Sequence, residues 1–142
     1  MADTAQILSL IRQLAAYERE PATTVRATEA SLRATLFPAA AAASPAGFAP
    51  PYARVLLAFL DDDDDDDDGD SSGAPAGMAI YFASYSTWRA APGVYLEDLF
   101  VREPARGRGV GTALLAALAR ETRALGGERL EWSVLKCAGF FF

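Results

Sequence analysis

The chain has no histidine, a single cysteine (Cys137) and, among 13 basic residues, a single lysine (Lys136). One thiol cannot form an internal disulfide and suits a reducing, cytoplasmic setting. Without histidine there is no donor set of the usual kind for zinc and no histidine-based catalytic triad, so no metal is expected. No apolar run reaches the roughly 20 residues of a membrane span. The N-terminus lacks the basic-then-apolar layout of a signal peptide. A clustered basic face of the kind that nucleic acid requires is also missing.

What is present is a chain of 142 residues that is 51% apolar, enough for one domain with a real core. Its net charge of −6 is dominated by eight consecutive aspartates at 61–68, and without their −8 the remainder sums to +2. Like charges in a row repel and cannot pack, so 61–75 is expected to be a disordered acidic insertion in a hairpin. A calcium loop is the competing reading of that run. Such a loop needs alternating ligands, a central Gly and a terminal Glu, and the run has none of that spacing.

Hydrophobic spacing predicts a helix over 4–17, with Ile7, Leu10, Ile11 and Leu14 on one face and Asp3 or Thr4 as N-cap. A second helix is expected from the cap Thr28 to Pro38, with Leu32 and Leu36 inward. Residues 54–60 and 77–85 read as a hairpin pair of strands, and Pro92-Gly93 as the turn before a third strand, 94–101. A helix over 109–125 follows, with Val110, Ala113, Leu114, Ala117, Leu118 and Leu125 toward the core and Gly126-Gly127 at its C-cap. Residues 129–135 read as a fourth strand. The strand–helix–strand order at 94–135 implies a parallel pair, hence an α/β fold with a mixed sheet.

The chemistry concentrates at 94–115. An apolar strand carries adjacent carboxylates, Glu97 and Asp98, and strict alternation would send them to opposite sheet faces. A Gly-rich turn follows, Arg106-Gly107-Arg108-Gly109-Val110-Gly111-Thr112, and then a helix. Such a turn cradles phosphate, because its N–H groups point outward and the helix N-terminus favours negative charge. A P-loop would need a lysine before Thr112, which is absent. A dinucleotide fingerprint would need Gly-x-Gly-x-x-Gly, and the glycines fall at 107, 109 and 111.

A third pattern, Arg/Gln-x-x-Gly-x-Gly/Ala, is matched by Arg106, Gly109 and Gly111 in a strand-to-helix context. This resembles the acetyl-CoA pyrophosphate loop of the GNAT acetyltransferase superfamily. Y-L-E-D-L-F-V at 95–101 with R-G-R-G-V-G narrows the resemblance to the diamine (spermidine/spermine) and thialysine N-acetyltransferase branch. I-L-S-L-I-R-Q-L-A-A-Y-E at 7–18, G-M-A-I-Y-F-A-S-Y-S-T-W at 77–88 and L-E-W-S-V-L at 130–135 add to it. The resemblance implies a GNAT-like mixed central sheet flanked by helices. It also implies acetyl-CoA as co-substrate, a small cationic primary amine as acceptor and pairing as a homodimer.

It further implies residue roles. Glu97 would be the general base, acting through a water. Tyr17, Glu18 and Asp98 would hold the acceptor, although Asp98 equally suits a structural hydrogen bond and Glu18 a solvated helix end. Backbone N–H groups of Leu99, Phe100 and Val101 would bind the cofactor arm. Arg106, Gly107, Arg108, Gly109, Val110, Gly111 and Thr112 would hold the pyrophosphate.

The chain departs from the branch in two places. Relatives begin with a strand ahead of the first helix. After the strand matching 130–135 they continue with Trp-Asn, a helix ending in Phe-Tyr and further strands, where this chain reads Cys137-Ala138-Gly139-Phe140-Phe141-Phe142. The expectation is therefore a single, C-terminally truncated domain over 1–142, lacking the first strand and the C-terminal strands. The Asn that assists the cofactor and the Tyr proposed as general acid would have no counterpart. The alternative function is then a catalytically impaired CoA-binding or dimerisation module without turnover.

Overall fold

The computed structural model describes residues 3–38, 51–60 and 73–134. The first helix, α1, spans Asp3–Tyr17, and Ile7, Leu8 and Leu10 are buried along it. Neither expected N-cap acts as one: Asp3 is already in the first turn, and Thr4 is buried within the helix with its hydroxyl unpartnered. The second helix, α2, spans Glu29–Leu36 and is capped by Thr28 as expected. The Thr28 hydroxyl accepts from the Ser31 N–H at 3.1 Å, while the Ser31 hydroxyl accepts from the Thr28 N–H at 2.9 Å. This is a reciprocal capping box with Ser in the place usually held by Glu or Gln. Leu32 then packs against Ile7 and Leu8.

Four strands form one mixed sheet in the order β1-β2-β3-β4, with β1 Arg54–Ala58, β2 Gly77–Ser86, β3 Ala91–Val101 and β4 Leu130–Trp132. The expected hairpin is present, β1 running antiparallel to β2 from Arg54↔Tyr81 to Ala58↔Gly77. The aspartate run at 61–68 lies outside the described residues, but the insertion stops short of its expected end. Pro75 and Ala76 are buried, and the Ala76 N–H donates to the Ala58 carbonyl at 2.7 Å.

Pro92-Gly93 is not a turn. The turn lies at 87–90, and Pro92 and Gly93 sit inside β3 opposite Tyr85 and Ser84. Gly93 serves a close approach instead: a Cβ there would come within 2.9 Å of the Arg129 carbonyl and of the Ser84 hydroxyl. That lets β4 begin directly alongside, with the Val94 N–H donating to the Arg129 carbonyl at 2.9 Å.

The third helix, α3, spans Val110–Ala124, and its C-terminus is closed as expected by Gly126 and Gly127, whose N–H groups donate to the Arg123 and Thr122 carbonyls. Its buried stripe is narrower than expected, running Val110, Leu114, Leu118 and Thr122. Ala113 and Leu125 are exposed, because the stripe advances strictly by four residues. α3 covers one face of the sheet, over Ala79, Tyr81, Val94 and Leu96. α1 covers the other, over Met78, Ile80 and Phe100. The parallel β3–β4 pair and the α/β layering follow the sequence reading.

The end of α1 carries strain. Arg19 holds φ at +62°, and the Glu20 N–H donates to the Ala15 carbonyl and the Arg19 N–H to that of Ala16. This is the helix-ending geometry that usually places glycine in the left-handed position. Arg19→Gly is expected to raise stability by about 0.5–1 kcal/mol, the left-handed penalty less the entropy of a glycine. Urea melts of the two proteins check this, and a loss of stability would show that Arg19 makes compensating contacts.

Candidate active site

The two carboxylates of β3 do not obey the alternation expected of them. In the β2–β3 ladder Ile80 faces Asp98 and Tyr81 faces Leu96, so Glu97 is skipped. Glu97 is the extra residue of a β-bulge, a device that breaks alternation and re-aims side chains. As a result Asp98 shares the face of Ile80 and Phe100, under α1, instead of joining the α3 face. Asp98 is half-buried and Glu97 is exposed. Burial, and then the charges of Glu97 and Glu18, raise the Asp98 carboxyl above its usual range. Three acidic side chains from two elements thus share one field.

Glu18 follows the last residue of α1, whose final turn holds no basic residue. A carboxylate at a helix C-terminus opposes the helix dipole, so α1 itself gains nothing from Glu18. Carboxylates crowded at a helix C-terminus make a locally negative spot that favours a cation. Tyr17 is 53% exposed, and its ring meets that of Phe100 at 6.5 Å between centroids.

Beyond the bulge, β3 loses its neighbour. The β3–β4 pairing covers Val94↔Leu130 to Leu96↔Trp132, and among the described residues nothing pairs with Glu97–Val101 on that side. The Arg102 N–H donates to the Ala76 carbonyl on the β2 side at 2.9 Å. Alternation along the strand then turns the N–H groups of Leu99 and Val101 outward, toward the gap. Phe100 differs from its expected role: its N–H faces β2, and its ring is buried against α1.

The Gly-rich turn lies at the end of this open edge. Gly107 and Gly109 hold φ at +74° and +81°, and a Cβ on either would meet nothing within 4 Å. They are glycines for backbone conformation, with open space above them. Gly109 is the N-cap of α3 and offers no side-chain cap. The first N–H of the helix with a partner inside it is that of Ala113, donating to the Gly109 carbonyl at 2.9 Å. The N–H groups of Val110, Gly111 and Thr112 therefore have no acceptor within the helix, which is the arrangement that receives an anion. Val110 adds an anchor, its side chain buried in the α3-side core, while Thr112 and Arg108 are exposed. Arg106 is turned back: its Nε–H donates to the Val101 carbonyl at 3.0 Å, and its guanidinium lies over the Tyr17 ring.

Residues 46–139, more than half of the chain, match the acetyltransferase (GNAT) family. The chain belongs to the GNAT acetyltransferase family. It is 31% identical over 138 residues to the thialysine N-epsilon-acetyltransferase of Bos taurus, an alignment covering 94% of this chain and 69% of that protein. It is 43% identical over 60 residues to the L-ornithine N5-acetyltransferase of Arabidopsis thaliana, covering 42% of this chain and 26% of that one. The chain thus spans about a quarter of the plant relative's length and about two-thirds of the bovine one's. Among solved structures it superposes on an aminoglycoside acetyltransferase from an uncultured soil metagenomic sample with a TM-score of 0.67 at 18% identity, covering 94% of this chain and 72% of that one. At that identity the likeness speaks for the fold alone. GNAT enzymes use acetyl-CoA as co-substrate. The open edge of β3 and the uncapped start of α3 fit an acyl-CoA arm and its pyrophosphate.

The bulge, the turned-back Arg106 and the stacked pair Phe82–Tyr95, 5.2 Å between centroids on the α1 side of the sheet, went unread in the sequence. A hollow of about 460 Å³ lined by Tyr85, Ser86, Thr87, Trp88, Arg89 and Arg129 opens at the far end of β2 and β3, and no carboxylate lines it.

The Asp98 shift has a sign that can be measured. Its carboxyl is raised on folding, so the folded state disfavours ionised Asp98. The penalty is absent below the unfolded carboxylate range and sets in as pH rises through the folded value. Asp98→Asn is expected to raise Tm at pH 7 and to lose that gain as pH falls below about 4. An equal gain at both pH values would remove the electrostatic explanation.

Proposed function

We propose that this GNAT-family chain transfers an acetyl group from acetyl-CoA directly to a primary amine of a small cationic acceptor, a polyamine or an amino-acid-like amine. One observation carries the reading. The bulge at Glu97 gathers Glu97, Asp98 and Glu18 into one negative field where β3 parts from β4, next to an uncapped helix N-terminus. A cation-seeking patch and an anion-seeking loop thus adjoin one open strand edge. The names of the thialysine and ornithine relatives, both acting on basic amino acids, favour the same acceptor class.

A free primary amine has a pKa of about 10.4, so its deprotonation at pH 7 costs about 4.6 kcal/mol. Carboxylates that bind the ammonium deepen that cost, so a base is needed as well as a binder. We assign the base to Glu97, which is exposed at the bulge and can pass the proton through a water to solvent. Asp98 and Glu18 hold the acceptor cation. The outward N–H groups of Leu99 and Val101 hold the donor arm and polarise the thioester carbonyl. Gly107, Arg108, Gly109, Val110, Gly111 and Thr112 surround the pyrophosphate, which the free N–H groups of the first turn of α3 receive. When bound, acetyl-CoA supplies the activated acyl group. The single cysteine supports a cytoplasmic setting, and pairing as a homodimer rests on the branch resemblance.

The decisive experiment is turnover of acetyl-CoA by the purified chain with thialysine, ornithine and spermidine as acceptors. Activity with at least one establishes the reading, and CoA binding without turnover of any acceptor refutes it. Glu97→Gln is expected to lower kcat by about 10²–10⁴-fold while leaving the Kd for CoA unchanged. An unaltered kcat across neutral pH would remove Glu97 from the role of base.

A further inference from the structure

The side chain of Arg106 does not reach out from the loop that carries it. Its guanidinium carbon lies 4.5 Å from the centroid of the Tyr17 ring, at the end of α1. Its Nε–H donates to the Val101 carbonyl, at the end of β3, at 3.0 Å. The Tyr17 ring itself leans on Phe100 of β3, tilted by 57°. The end of α1 and the end of β3, distant in sequence, thus meet at one guanidinium.

We infer that Tyr17 is a positioning residue for the acyl donor: its ring holds Arg106, and Arg106 holds the start of the pyrophosphate loop against the last residue of β3. The inference rests on reading that loop as the CoA site, and it gives Tyr17 a task on the donor side instead of the acceptor side. The planar guanidinium is what makes the arrangement directional. Its Nε–H donates to the Val101 carbonyl while its guanidinium carbon sits over the ring, so two contacts in different directions hold the loop. A lysine could satisfy the ring but has no second, in-plane donor to give at the same time. The ring is half-exposed, and besides Phe100 its aromatic partner is the Arg106 guanidinium. The ring face given to Arg106 is closed to an acceptor ammonium, which leaves that cation to the carboxylates.

The test is a double-mutant cycle read by calorimetric titration with CoA alone. Tyr17→Leu keeps an apolar contact for Phe100 but removes the π face, and is expected to raise the Kd for CoA about 3–5-fold, the scale of an exposed cation–π contact. Tyr17→Phe keeps the ring and is expected to recover most of that loss. In an Arg106→Ala background, Tyr17→Leu is expected to add nothing further. In steady-state kinetics the Tyr17→Leu effect should fall on the KM for acetyl-CoA and spare kcat. Unchanged CoA affinity in Tyr17→Leu, or full additivity with Arg106→Ala, would overturn the inference. If the unsubstituted protein fails to bind CoA, the acyl-transfer reading falls and the donor role of Tyr17 with it. CoA binding without coupling removes the role of Tyr17 alone.

Discussion

Between Val94 and Leu96 the third strand is paired on both edges, and from Glu97 onward, among the described residues, it is paired on one. A backbone edge inside a sheet is normally consumed by its neighbour, and an edge left open must find other partners. Here the change from closed to open coincides with the extra residue in β3, and the remaining features of the site follow from it. The N–H groups of Leu99 and Val101 face outward beyond the last β4 pair, Leu96↔Trp132. The Val101 carbonyl, beyond the same pair, accepts from Arg106. The loop of left-handed glycines begins where that open edge runs out.

The site is electrically divided along β3. Toward the bulge, burial and then the charges of Glu97 and Glu18 raise the Asp98 carboxyl above its usual range. Toward the start of α3, uncapped N–H groups and the positive end of the helix dipole make it receptive to phosphate. The proposed function would place its two oppositely charged reactants at opposite ends of this one edge. Nothing in this sorting requires a histidine, which the sequence lacks.

The layers and the order of elements were legible because they depend on repeated signals: apolar residues at helical spacing in α1 and α3, the Thr28 cap, and the glycine pair closing α3. The misreadings share a different cause. A glycine needed for close approach, as Gly93 is, looks the same in sequence as one needed for a bend. Only the Arg129 carbonyl, brought alongside by the fold, distinguishes them. Glu97 and Asp98 were assigned to opposite faces because alternation assumes unbroken pairing, and a bulge leaves no mark in a run such as Y-L-E-D-L-F-V. The partner of Arg106, Tyr17, lies on an element far away in the chain, so the motif alone does not show their contact. The motif identified the chemistry of 94–115, while the relations among its parts came from tertiary structure.

Striking Glu97 from the strand on paper leaves every other side chain of β3 where it was. Leu96 would still face α3, Asp98 the opposite layer, and Leu99 and Phe100 would continue the same alternation. Glu97 is thus a supernumerary position, owed nothing by the core and owing nothing to it. Its side chain belongs to none of the three core clusters. A carboxylate at that position is what the proposed base requires.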